Sequence, residues 1–138
     1  MIVAVLILDF HGRVLLQLRD ESKNIVNPGK IGLFGGTAFE WETPKLAALR
    51  ELAEELHLNL SDSNLQQLAV TVKEAPDGNQ ESVYVFLAQI GDVDSMCLCE
   101  GCALVLANPT NILESSHLAP LTRKILTQFF EGVIFPQN

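Results

Sequence analysis

Two apolar runs open the chain, Ile2 to Leu8 and Val14 to Leu18, separated by Asp9 to Arg13. Both are strand-length and almost continuously apolar, which predicts strands covered on both faces, with Gly12 easing the turn between them. Arg19 to Lys30, containing Asn27-Pro28-Gly29, reads as a polar loop, and Ile31 to Phe34 as a short strand leading into Gly35-Gly36. Leu65 to Lys73 and Ser82 to Ile90 read as strands about the turn Pro76-Asp77-Gly78-Asn79, and Cys102 to Ala107 as one more. The period changes to that of a helix in Leu121 to Phe130, where Ile125, Leu126, Phe129 and Phe130 are available for packing. Strands predominate, so the expected class is α/β, with helices set against a mixed sheet. No internal repeat or interdomain linker breaks the pattern, and residues 1–138 read as a single domain.

A second helical stretch carries the chemistry. Thr43 is a suitable N-cap and Pro44 suits the first helical position, where its missing N–H is not needed. On the helical wheel Glu51, Glu54 and Glu55 fall within an arc of roughly 100°, with Leu46, Leu49, Leu52, Ala53 and Leu56 on the other side. Glu51 is three residues from Glu54 and four from Glu55, and like charges at those spacings destabilise a helix by about 0.2–0.5 kcal/mol each. No lysine lies one turn away, and Arg50 can pair with only part of the charge. A hard divalent cation would relieve the remainder. From three carboxylates alone, a solvated acidic face is the plainer reading. The flanking residues reverse that preference.

Gly36 is followed by five residues and Glu42, then by seven residues and Arg50-Glu51-Leu52-Ala53-Glu54-Glu55-Leu56-His57-Leu58. This resembles the Nudix box, with every fixed position matched except the final glycine, which is His57 here. Glycine there lets the helix end in a left-handed turn, so the C-cap must be built differently or carry about 1 kcal/mol of strain. Many family members have glutamate and glycine where this chain has Phe39 and Trp41, and proline where it has Phe34. The resemblance implies a Nudix fold, an α/β/α sandwich with a mixed β-sheet, and hydrolysis of the phosphoanhydride bond of a nucleoside diphosphate linked to another moiety. Nucleotide sugars, nucleoside triphosphates and dinucleotides all stay open as substrates. It further implies Mg²⁺, or Mn²⁺, held by Glu54 and Glu55, with Glu51 as a further ligand or the general base. The Gly35 carbonyl would complete the metal shell, and Arg50 would orient the glutamates. Glu42, one residue before the N-cap, is expected to fix the loop. In MutT-like members a Glu-Gly pair after the central strands supplies another carboxylate, and Glu100-Gly101 lies where such a pair is expected. Arg19 is placed to contact a phosphate, and Phe39 or Trp41 to stack on a base or pack the loop. A homodimer is left open.

Composition fits this picture. The formal net charge of −8 argues against general nucleic-acid binding, while an acidic enzyme can bind phosphorylated small molecules through metal ions. The run Met1 to Leu8 is too short to span a bilayer and lacks the marks of a signal peptide, giving a cytoplasmic expectation by default. Cys97, Cys99 and Cys102 could be most of a zinc site, but their strand-like spacing favours buried packing, and an odd count speaks against structural disulfides. A catalytically inactive nucleotide-binding or regulatory module would be expected to lack box glutamates, and none is missing. A phosphate-cradling NTPase needs a Gly-Lys followed by Ser or Thr, whereas Gly29-Lys30 precedes Ile31.

Overall fold

The computed structural model describes residues 1–19, 29–99 and 103–137. Its strands are β1 (Ile2–Leu8), β2 (Val14–Leu18), β3 (Ile31–Gly32), β4 (Phe34–Thr37), β5 (Leu65–Glu74), β6 (Gln80–Gln89) and β7 (Leu104–Ala107). They form a mixed sheet in the order β3-β2-β1-β6-β5, with β4 also pairing β1 and β7 pairing β2. Among the described strand pairs β1 and β6 run parallel and the others antiparallel, with one further parallel bridge between Ile31 and Leu118. The continuous apolarity of β1 is explained by its position, since both faces are covered. Val3, Val5 and Ile7 pack with Ala47, Ala48, Leu52 and Leu56 of α1 (Pro44–Leu56). Ala4 and Leu6 pack the other way, with Ile112 of α2 (Pro109–Leu113) and with Ile125 and Leu126 of α3 (Pro120–Phe130). This is the expected α/β/α sandwich.

The structure departs from the sequence reading in several places. Ile31 to Phe34 is not one strand, because the backbone of Leu33 leaves the sheet. Its N–H donates to Thr122 Oγ1 at 3.2 Å and its carbonyl accepts from Gln17 Nε2 at 3.2 Å. β3 therefore pairs β2 while β4, which includes Gly35-Gly36, pairs β1. The short helix α2 is an element beyond those the apolar pattern predicts: Asn108 caps it through Thr110 N–H at 3.1 Å and Pro109 begins it. The last strand starts at Leu104, and Cys102 and most of the Arg19 to Lys30 loop lie outside the described residues.

α1 starts as expected, with Thr43 Oγ1 accepting the Leu46 N–H at 3.2 Å. Its orientation is not as expected. Leu46 is 48% exposed, and the buried stripe is Ala47, Ala48, Leu52 and Leu56. Small side chains at Ala47 and Ala48 let the helix lie close to the sheet. Glu51 and Glu55 thus border the sheet-facing stripe instead of opposing it. At the far end His57 adopts φ 56° and ψ 30°, the left-handed cap usually left to glycine, and its N–H donates to the Ala53 carbonyl at 3.0 Å. A non-glycine residue there carries about 1 kcal/mol of strain.

Candidate active site

The site is built where α1 crosses β4. Glycine is required at both positions of β4 that meet the helix, for different reasons. Gly35 has φ +145°, and a Cβ there would lie 2.0 Å from the Val3 carbonyl oxygen. A Cβ on Gly36 would lie 2.5 Å from Glu51 Oε1, so the Glu51 carboxylate rests directly on the bare backbone. The Gly35 N–H donates to Glu55 Oε1 at 3.1 Å.

Arg50 organises the other side of this arrangement. Its Nε and Nη2 grip Glu42 Oε2 and Oε1 at 2.7 and 2.9 Å, a bidentate pair in which the Glu42 side chain is fully enclosed. Nη2 also donates to the Thr37 carbonyl at 3.2 Å. Nη1 donates to Glu51 Oε1 at 3.1 Å and Glu54 Oε2 at 3.2 Å. The guanidinium thus spends its donors on one loop and two glutamates. Hydrogen bonding to Arg50 holds the Glu42 carboxyl below its usual range despite burial, assisted by the Phe39 N–H at 2.7 Å. Glu42 in turn raises Arg50 further above its ordinary value. Glu42 fixes the loop, as its place before the cap suggests.

Glu55 is the perturbed acid. Burial, followed by repulsion from Glu51, pushes its pKa up to about 7, although the Gly35 N–H and nearby Arg19 act in the opposite sense. The structure therefore brings Glu51 and Glu55 together against Gly35-Gly36. Glu54 is more than half exposed and joins them through Arg50 alone. Among the described residues, no three His, Cys, Asp or Glu side chains already converge on one point as a preformed metal cage. The donor set nonetheless fits a hard divalent cation: it is all oxygen, partly buried, and contains two carboxyls that repel each other.

Beside this pair opens a cleft of about 220 Å³ on the α3 side of the sheet. Gly35 and Gly36, on which the acids rest, line it together with Ile2, Ala4, Leu121, Thr122 and Ile125. Arg19 and Lys73 bring positive charge to it. Phe39 and Trp41 do not border it. Trp41 is 75% exposed, and the Phe39 ring lies over Arg50.

The fold is shared with known proteins. No curated protein matches the chain in sequence. Solved structures that match include the MutT protein from Methanosarcina mazei Go1, with a TM-score of 0.77 and 22% identity over 96% of this chain and 93% of that one. The Nudix domain of Shewanella oneidensis NrtR, crystallised with ADP ribose, matches with a TM-score of 0.74 and 20% identity over 96% and 86%. The C. elegans Ap4A hydrolase matches with a TM-score of 0.69 and 19% identity over 96% of each chain. At these identities the likeness concerns the fold. The NUDIX domain family model, however, matches residues 1–97. The chain belongs to the Nudix family. It is a Nudix-type pyrophosphohydrolase, an enzyme acting on acid anhydrides.

With the family established, the remaining sequence expectations can be placed on the structure. Glu100 and Gly101 lie outside the described residues. The buried-packing reading of the cysteines is overturned for two of them. Cys97 is an exposed free thiol, and Cys99 is half-buried and disulfide-bonded. The segment 96–99 lies over the end of α1, with the Cys99 N–H donating to the Leu56 carbonyl at 3.1 Å, so its backbone serves the helix end and Cys97 faces solvent. An odd cysteine count leaves room for one pair, so it was a weak argument against a disulfide. Lys73 and Thr122 were missed as cleft residues because they come from β5 and α3, and no local pattern in the chain marks them. Among the described residues no helix is long and apolar enough to cross a membrane.

The Nudix acid pair has a consequence for stability that can be measured without substrate. The Glu55 carboxyl binds its proton more tightly when folded than at its ordinary value of 4.5. Its contribution to stability is therefore full below that value and lost as pH rises through about 7. In chelator, the melting temperature is expected to fall between about pH 5 and about pH 8 and to fall less in Glu55→Gln. Equal slopes in the two proteins would show that Glu55 is not the strained group.

Proposed function

We propose that this enzyme hydrolyses the phosphoanhydride bond of a nucleoside diphosphate linked to another moiety, with Glu54 and Glu55 holding Mg²⁺ or Mn²⁺ and Glu51 serving as a further ligand or as the general base. The observation that carries this reading is the pairing of the Glu51 and Glu55 carboxyls on Gly35-Gly36, the same two glycines that line a cleft holding Arg19. When bound, the cation supplies positive charge against the substrate's phosphate oxygens and makes water more acidic. Glu54 lies three residues from Glu51 on the same helix and would join this set by turning its side chain from Arg50. The Gly35 carbonyl would be a further ligand of this set, and Glu100 another by resemblance.

The chain's own residues then do the rest. Glu51 accepts the proton of the attacking water as the new P–O bond forms and the anhydride P–O bond breaks. Arg50, locked on Glu42, keeps Glu51 in place for that transfer, and Arg19 pairs with a phosphate oxygen at the cleft mouth. The cleft, at about 220 Å³, is below the roughly 300–1,000 Å³ of drug-sized pockets, so it suits one base or sugar rather than a whole dinucleotide. A nucleoside diphosphate joined to a second group, part of it outside the cleft, is consistent with the ADP ribose bound to the similar NrtR domain and with the similar Ap4A hydrolase.

The test is a panel of nucleotide sugars, dinucleotides and nucleoside triphosphates, assayed for nucleoside monophosphate or phosphate release in chelator and after adding Mg²⁺ or Mn²⁺. Turnover of at least one class is expected only with the ion. Turnover that persists in chelator, or none on any class, would reject the assignment.

A further inference from the structure

Phe39 contacts both halves of the buried ion pair behind the acids. Its ring centroid lies 4.0 Å from Arg50 Cζ, and its N–H donates to Glu42 Oε1 at 2.7 Å. The in-plane donors of Arg50 are spent on Glu42, Thr37, Glu51 and Glu54, which leaves only the flat faces of the guanidinium without a hydrogen-bonding role. An aromatic face is the group that complements such a surface, and it does so best where water is excluded. The Arg50 side chain is 18% exposed and that of Glu42 1% exposed, so the ring lies against a nearly dry pair. Trp41 stands outside Phe39, its ring centroid 6.1 Å away and tilted by 33°.

We propose that Phe39 is a positioning residue: its ring caps Arg50 and thereby fixes Glu51, instead of stacking on a substrate base. The proposal rests on the reading of Glu51 as part of the catalytic site. The ring does not border the cleft, and one of its faces is already taken by the guanidinium. Without it, Arg50 retains its partners but gains water and mobile ions on the exposed face. Any loosening then passes directly to Glu51 through Nη1.

Phe39→Leu removes the ring while keeping the backbone N–H that serves Glu42. We expect kcat to fall about tenfold, equivalent to about 1.4 kcal/mol, with the loss deepening as salt is added. KM should stay within about twofold, as for an interaction that acts on the transition state alone. Phe39→Tyr should restore kcat. The Arg50 Nε–H resonance should show a ring-current shift in the wild type and Phe39→Tyr that is lost in Phe39→Leu, a readout independent of turnover. If circular dichroism shows that Phe39→Leu is not folded, Phe39→Met takes its place in both measurements. Unchanged kcat, a raised KM at constant kcat, failure of tyrosine to rescue, or an Arg50 resonance indifferent to the ring would each overturn the proposal. Absence of turnover in the wild type would instead reject the hydrolase assignment, and the resonance would still decide whether Phe39 caps Arg50.

Discussion

Glu55→Gln is expected to lower turnover by at least about a hundredfold, since even the outer partners of metal ligands contribute about 10–100-fold. The same change should leave the metal-free protein at least as stable as the wild type above pH 7. These two effects have one cause. Glu55 is held by the Gly35 N–H and pressed against Glu51 in a partly buried place, where its charge is a burden to the folded chain unless a cation shares it. The amide keeps the size and the Gly35 hydrogen bond but removes the charge. Steady-state kinetics beside melting curves in chelator check both. A variant that lost activity and stability together would point to a structural acid. Glu54→Gln should also reduce turnover; since this side chain is 59% exposed, its loss should leave the fold intact. Unchanged activity would return Glu54 to the role of a solvated charge.

Gly36→Ala is the second large effect, also about a hundredfold in kcat, from a single added methyl group. The backbone of Gly36 is not in the left-handed region, so alanine can adopt its conformation. The new Cβ would stand 2.5 Å from Glu51 Oε1 and 2.9 Å from its carboxyl carbon. A flexible carboxylate yields to that contact more easily than a sheet does, so Glu51 moves and the fold stays. A displacement of about 1 Å in a catalytic group can lower the rate about a hundredfold. Gly35→Ala should behave oppositely, damaging the fold itself, because its Cβ would meet the Val3 backbone and its φ of +145° suits glycine alone. Kinetics and urea unfolding of the two variants check the contrast. If Gly36→Ala keeps full activity, Glu51 does not need the position it occupies here.

The same two glycines show what was legible in the sequence. Their spacing to Glu42 and Arg50 identified the box, and the strand and helix periods placed most of the sheet, α1 and α3. The helical wheel gave the arc of the glutamates correctly but not its direction, because it weighed Leu46 and Ala53 as core. In the structure Ala47 and Ala48 mark the face of closest approach, and hydrophobicity alone ranks them below leucine. The break between β3 and β4 was invisible for a related reason. Leu33 satisfies its backbone through Thr122 and Gln17, partners far away along the chain. For Phe39 the sequence leaves stacking on a base and packing of the loop both open, since only the folded chain shows that Arg50 lies beneath the ring. The cleft draws on β1, β3, β4, β5 and α3 together with Arg19 just past β2, and no single segment announces it.

The central claim is that Glu51, Glu54 and Glu55 form a divalent-cation site, and Mn²⁺ titration followed by electron paramagnetic resonance tests it most directly. Free Mn²⁺ is measured against wild-type protein and against Glu55→Gln at neutral pH. The wild type should remove the ion from solution with a saturable curve, and the variant should bind at least about tenfold more weakly. Superimposable curves for the two proteins would contradict the account.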